Sequence, residues 1–158
     1  MAKDAFVDLD WAERQASMLR RDLQLSEVEI LNPYELAEKM GFIELLPLAN
    51  VQNISLECRQ VLSAHNGKGW SAGSLAFPDG RVAVIMNPLH AKTRKRATLM
   101  EEIAHIHLAH KPSQLTVGND GITARSYDAQ QEKEAYWVGA AALVTMWHLQ
   151  QAQKRKMT

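Results

Sequence analysis

From Asp10 to about Gln24, apolar Trp11, Met18, Leu19 and Leu23 interleave with Glu13, Arg14, Arg20 and Arg21. That spacing predicts an amphipathic surface helix. Asn32-Pro33 marks a second helix start, a capping side chain followed by proline at the first helical position. This helix runs through Leu36, Ala37 and Met40 and stops at Gly41, a natural left-handed C′ residue. Residues 42–46 then read as a strand closed by Pro47, and residues 49–68 as a loop or short strand. Residues 69–77 and 81–87 form a predicted hairpin around Pro78-Asp79-Gly80, closed by Asn87-Pro88. A long helix is expected from about Thr93 to His110, stopped by Pro112. Residues 113–126 read as loop. Asp128 caps a last helix reaching about Gln151, with Lys154-Arg155-Lys156 as a fraying tail.

Three strands thus lie between two N-terminal and two C-terminal helices. The expected fold is α+β, with a small antiparallel or mixed three-stranded sheet packed against about four helices. At 158 residues the chain fits one domain, with a core at about 30–150.

Composition narrows the function classes. Lys+Arg and Asp+Glu are 18 each, a net charge of +0, so the basic excess of a dedicated nucleic-acid binder is missing. No run of about 18 apolar residues occurs, so no membrane-spanning helix is expected. Met1 to Asp8 lacks the basic-then-apolar pattern of a signal peptide. The single Cys58 can form no internal disulfide and no thiolate metal cage. A cytoplasmic protein with carboxylate and imidazole chemistry is the expectation.

That chemistry concentrates in Thr98-Leu99-Met100-Glu101-Glu102-Ile103-Ala104-His105-Ile106-His107. At about 100° per residue, Glu101, Glu102 and His105 share one arc of a helix. Leu99, Ile103, Ile106 and His110 share an apolar stripe, and His107 points roughly opposite His105. The arrangement is compared with His-Glu-x-x-His, where two imidazoles one turn apart bind zinc and the glutamate is the general base. Here Glu101 stands in the first position. A carboxylate can ligate Zn²⁺, although a two-carboxylate, one-imidazole set also suits Mn²⁺ or Fe²⁺. His90 is a weaker substitute ligand.

A further ligand must come from elsewhere. On the last helix, Glu132 shares a face with Ala135, Gly139 and Leu143, whereas Glu134 lies on the far side. Glu132 therefore sits where small residues let another helix approach, and a carboxylate there needs a partner or a cation. Tyr136 shares that face.

These segments resemble the ImmA/IrrE family of metallopeptidases. The likeness rests on Thr98 to His105 and on Glu132-Lys133-Glu134-Ala135-Tyr136-Trp137-Val138-Gly139-Ala140-Ala141-Ala142-Leu143. Upstream it includes Asn32-Pro33, Trp70-Ser71-Ala72 and Ile85-Met86-Asn87 before Arg94-Lys95-Arg96. The resemblance implies a zincin-like core with metal ligands at Glu101, His105 and Glu132 and a catalytic carboxylate at Glu102. Glu101 then replaces the family's first histidine, Tyr136 its usual Asn or Asp, and Thr145-Met146 the usual Leu/Met-Pro. The resemblance further implies a cytoplasmic endopeptidase acting on a helix-turn-helix regulator, with Zn²⁺ as cofactor or, if the variant motif has lost the metal, none. The alternative class is an inactive pseudo-peptidase that serves as a protein-binding module.

Overall fold

The computed structural model describes residues 8–51, 55–63, 70–111, 115–118, 121–125 and 128–156, and all structural statements concern these. Helix α1 is Leu9–Asp22, started by Asp8, whose carboxylate accepts from the N–H groups of Asp10 and Trp11. Helix α2, Pro33–Met40, is capped by Asn32 and ends at Gly41 with φ +75°, as the two signals require. Strands β1 (Ile43–Leu45), β2 (Ala72–Ala76) and β3 (Val82–Met86) form one mixed sheet in the order β1-β3-β2. β3 is central: β1 runs parallel to it with Ile43 opposite Val82, and β2 antiparallel with Ser74 opposite Val84. Ala83 and Val84 are buried, which accounts for the unbroken apolar run of this strand. The Pro78-Asp79-Gly80 loop turns the chain, with Gly80 at φ +87° and its N–H bonded to Phe77 O.

Behind the sheet lies α4, Lys92–His107, and against it packs α5, Ala129–Leu143. Helix α1 covers α5, while α2 covers α4. The core at their junction includes Leu19, Leu31, Leu36, Leu99, Met100 and Ile103, all fully buried. Buried Asn87 closes the hairpin: its side chain donates to Trp70 O and accepts from Leu89 N. The basic start of α4 opposes the helix dipole. Its cations instead tie neighbouring segments down: Arg94 donates to Ser71 Oγ, Lys95 to Pro88 O and Arg96 to Leu31 O.

Five expectations need correction. Residues 49–68 contain a 3-10 turn at Leu48–Asn50 and helix α3 at Leu56–Ser63. Helix α3 is hard to read because it has little apolar stripe, Leu56 being 68% exposed. The stretch read as loop carries an antiparallel pair, β4 (Leu115–Gly118) and β5 (Gly121–Arg125). Each of these strands is only two or three β-favouring residues beside glycine. Helix α4 ends at His107 rather than His110. The final helix is two, α5 and α6 (Met146–Lys156), broken at Val144, which is extended at φ −130°. Thr145 makes that break permanent, since its hydroxyl accepts from His148 N and donates to Glu27 O. The tail read as fraying stays helical to Lys156. Trp11 packs against the core, whereas Trp137 is 42% exposed. The N-terminal segment read for a signal peptide, residues 1–7, lies outside the described residues.

One buried cation fastens the helical half. Arg20, 5% exposed, donates to Ala142 O at 2.8 Å and to Ser26 O and Glu29 O at 2.6 Å each. It joins α1 to the end of α5 and to the loop leading into α2. Charged hydrogen bonds to buried carbonyls contribute about 1.5–3 kcal/mol each. Arg20→Met should therefore lower unfolding free energy by roughly 3 kcal/mol or more, measured by urea denaturation. Arg20→Lys should recover less than half of that, because an ammonium cannot span three carbonyls as the planar guanidinium does.

Candidate active site

The site begins with the distance between two helices. Ala135, Val138, Gly139 and Ala142 make a buried small-residue stripe on α5, at i, i+3, i+4 and i+7. At Gly139 a Cβ would stand 3.4 Å from both Glu101 N and Met100 O. Helix α5 therefore crosses α4 in backbone contact at the turn that carries Glu101. Large side chains at 139 would push the helices apart.

That crossing sets His105 and Glu132 facing each other, with Glu101 near enough to feel the charge of Glu132. His105 Nε2 lies 3.9 Å from Glu132 Oε1. Glu101 is half-buried, and burial raises its carboxyl above the ordinary range, with the negative charge of Glu132 adding to the rise. Glu102 follows on the same turn of α4, also half-buried. His107 is directed elsewhere, as its helical phase requires: its Nε2 is 3.0 Å from Gln15 Oε1 on α1, and burial lowers its basicity. His90 precedes α4, about 20 Å along the helix from His105, and faces Asn87. It is no substitute ligand. Tyr136, expected on the Glu132 face, is 59% exposed and stacks edge-on with Trp137.

Two residues that the helical wheel dismissed belong to the site. His110 was expected on the apolar stripe of α4, and Glu134 on the far side of α5. Because α4 ends at His107, the wheel does not apply to His110. Ala109 takes φ +51°, Ala109 N bonds Ile106 O, and His110 N bonds His105 O, the paired bonds of a Schellman ending. The turn swings His110 back over His105, with the two Nδ1 atoms 3.0 Å apart. His110 Nε2 in turn reaches Glu134 Oε2 at 3.1 Å, and Gln130 donates to Glu134 Oε1 at 2.6 Å. Pro112 marks only that the helix stops somewhere before it, and Ala109 gives no glycine to mark where.

The donor set suits a divalent cation chemically: Glu101 and Glu132 supply oxygen, and His105 supplies nitrogen. The raised carboxyl of Glu101 means that a second negative charge beside Glu132 is disfavoured there, a penalty a cation would relieve. Two ligands of one tetrahedral zinc lie about 3.3 Å apart, given bonds near 2.0 Å. The His105–Glu132 separation of 3.9 Å is wider, and among the described residues no three His, Cys, Asp or Glu groups close around one point. The set is thus chemically apt and geometrically open.

Comparison with known families places the chain. The family model described as the IrrE N-terminal-like domain, Peptidase M78, matches residues 62–157, and the chain belongs to that family. The match covers β2 through α6, hence both site helices, while α1, α2 and β1 lie before it. No curated protein and no solved structure matches the chain. No described helix is long and apolar enough to cross a membrane.

Two outcomes are expected. Ala109→Gly removes the left-handed strain at the end of α4 and should raise unfolding free energy by about 0.5–1 kcal/mol, read by thermal or urea denaturation. For Glu101, a raised native pKa means that the folded state holds more protons than the unfolded one as pH climbs above the carboxylate range. Stability is then lost as pH rises through the native value. In chelator, Glu101→Gln should flatten that loss and match or exceed the wild-type melting temperature at pH 7.5. Its gain should be at most ~1 kcal/mol, given solvent screening of this half-exposed group.

Proposed function

We propose that this protein is a metal-dependent endopeptidase of the IrrE type with a Glu-Glu-x-x-His variant of the zinc motif. The observation that carries the reading is the facing of His105 on α4 and Glu132 on α5, beside Glu101, across the Gly139 crossing. Glu101, His105 and Glu132 would hold the cation, Zn²⁺ first and Mn²⁺ or Fe²⁺ as alternatives suited to an oxygen-rich set. When bound, such an ion supplies Lewis acidity toward water and a peptide carbonyl. Glu102 takes a proton from the attacking water and delivers it to the leaving amine. Burial of α4 keeps Glu102 on a rigid element, so its carboxylate is offered from a fixed position.

Support for a peptide substrate comes from the sheet. β2 lies at its edge, and Gly73 to Ala76 are exposed, so an extended chain can add as a further strand. The substrate is a cytoplasmic helix-turn-helix regulator, a reading that follows from the family resemblance. The open donor arrangement favours one competing reading, a pseudo-peptidase that binds such a partner without cutting it. Metal uptake separates the two. Full-length protein, purified without chelator or a metal-binding tag, should retain or take up about one equivalent of transition metal. Uptake should fall at least 10-fold in affinity in Glu132→Ala and rise in Glu101→His. Less than a tenth of an equivalent in the wild type, with no binding on titration of Zn²⁺, overturns the peptidase reading.

A further inference from the structure

The contacts among His105, His110, Glu134 and Gln130 form a chain with a direction. An ionised carboxylate only accepts, so at the 3.1 Å contact with Glu134 it is His110 Nε2 that carries the proton. A neutral His110 bonded in this way presents a lone pair at Nδ1. The 3.0 Å contact between the two Nδ1 atoms consequently needs its hydrogen on His105. That places the lone pair of His105 at Nε2, the atom directed to Glu132. Gln130 fixes the far end by donating to the other oxygen of Glu134, and Asp128 fixes Gln130 by capping the first turn of α5.

We infer that His110 and Glu134 are positioning residues, a carboxylate–imidazole relay that locks His105 in the Nδ1–H tautomer and aims its Nε2 lone pair at the cleft beside Glu132. Ligating histidines ordinarily donate their second ring N–H to a carboxylate, a carbonyl or water. Here a second imidazole intervenes, which lets a carboxylate on α5 orient a ring on α4. The geometry around it is built for this. The His110 side chain is 7% exposed, its ring meets His105 edge-on at 73°, and the Schellman turn at Ala109 is what brings it there. The relay also gives a purpose to Glu134, which points away from Glu132 on its own helix. This inference rests on the proposed role of His105 only where it concerns metal; the tautomer is argued from the contacts with His110 and Glu134.

The test uses full-length protein labelled with ¹⁵N-histidine, in chelator at about pH 7.5, with ring tautomers read from long-range ¹H–¹⁵N correlations. His105 should be in the Nδ1–H form. His110→Ala should turn it into a mixture or into the Nε2–H form, and Glu134→Ala should move it the same way. The second variant alters a side chain that is 25% exposed and keeps the test decisive if His110→Ala does not fold. Titration of Zn²⁺ alone, followed by calorimetry, should show 10–100-fold weaker binding in both variants. His107→Ala, which touches α1 and not the relay, should leave the His105 tautomer unchanged. A wild-type His105 in the Nε2–H form, or a tautomer indifferent to both substitutions, overturns the relay. If the tautomer shifts as stated while wild-type protein binds no zinc, the relay stands and the metal reading falls. If zinc binds and neither variant alters tautomer or affinity, the reverse holds.

Discussion

Everything in this site depends on how closely α5 can approach α4. Two helices with ordinary side chains pack with axes about 8–10 Å apart, and a glycine at the crossing draws them to the near end of that range. Gly139 does so against the backbone of Met100 and Glu101. With that contact made, carboxylates on α5 and an imidazole on α4 are within interaction distance of one another. Without it Glu132 would be a solvated residue in a first helical turn, where the dipole favours a negative charge but nothing further follows. The small-residue stripe is therefore what converts two separate polar faces into one site. The burial that accompanies it raises the carboxyl of Glu101, with Glu132 adding to the rise.

Much of this was legible in the chain. Asn32-Pro33 and Gly41 bracket α2 because caps are local chemistry, and Pro78-Asp79-Gly80 sets the hairpin for the same reason. The mixed three-stranded sheet follows from three strands of which the central one is apolar throughout. Helical phase and the small residues around Gly139 place Glu132 on the face of α5 that meets α4, and it lies opposite His105 there. Elements that rest on little apolar periodicity were not legible. Helix α3 and the short β4–β5 pair lack a stripe or alternation long enough to separate them from loop.

The illegible part of the site has one cause. A helical wheel is valid only while the helix lasts, and α4 lasts three residues less than its histidines suggest. Beyond His107 the direction of a side chain is set by the turn, and an alanine in the left-handed region conceals that turn from the sequence. His110 was accordingly assigned to a face it does not occupy, and Glu134, on the face of α5 it was given, meets His110 there. The same lesson applies at Val144, where an extended residue and the Thr145 hydroxyl end α5 without the proline that would have announced it.

The central claim is that Glu101, His105 and Glu132 form one cation site between α4 and α5. X-ray absorption at the zinc edge of the full-length protein, reconstituted with one equivalent of Zn²⁺, tests it most directly. The account predicts a shell of oxygen and nitrogen near 2.0 Å with a single imidazole and no sulfur. A shell with two imidazoles, or a spectrum of hydrated zinc with no histidine at all, would contradict it.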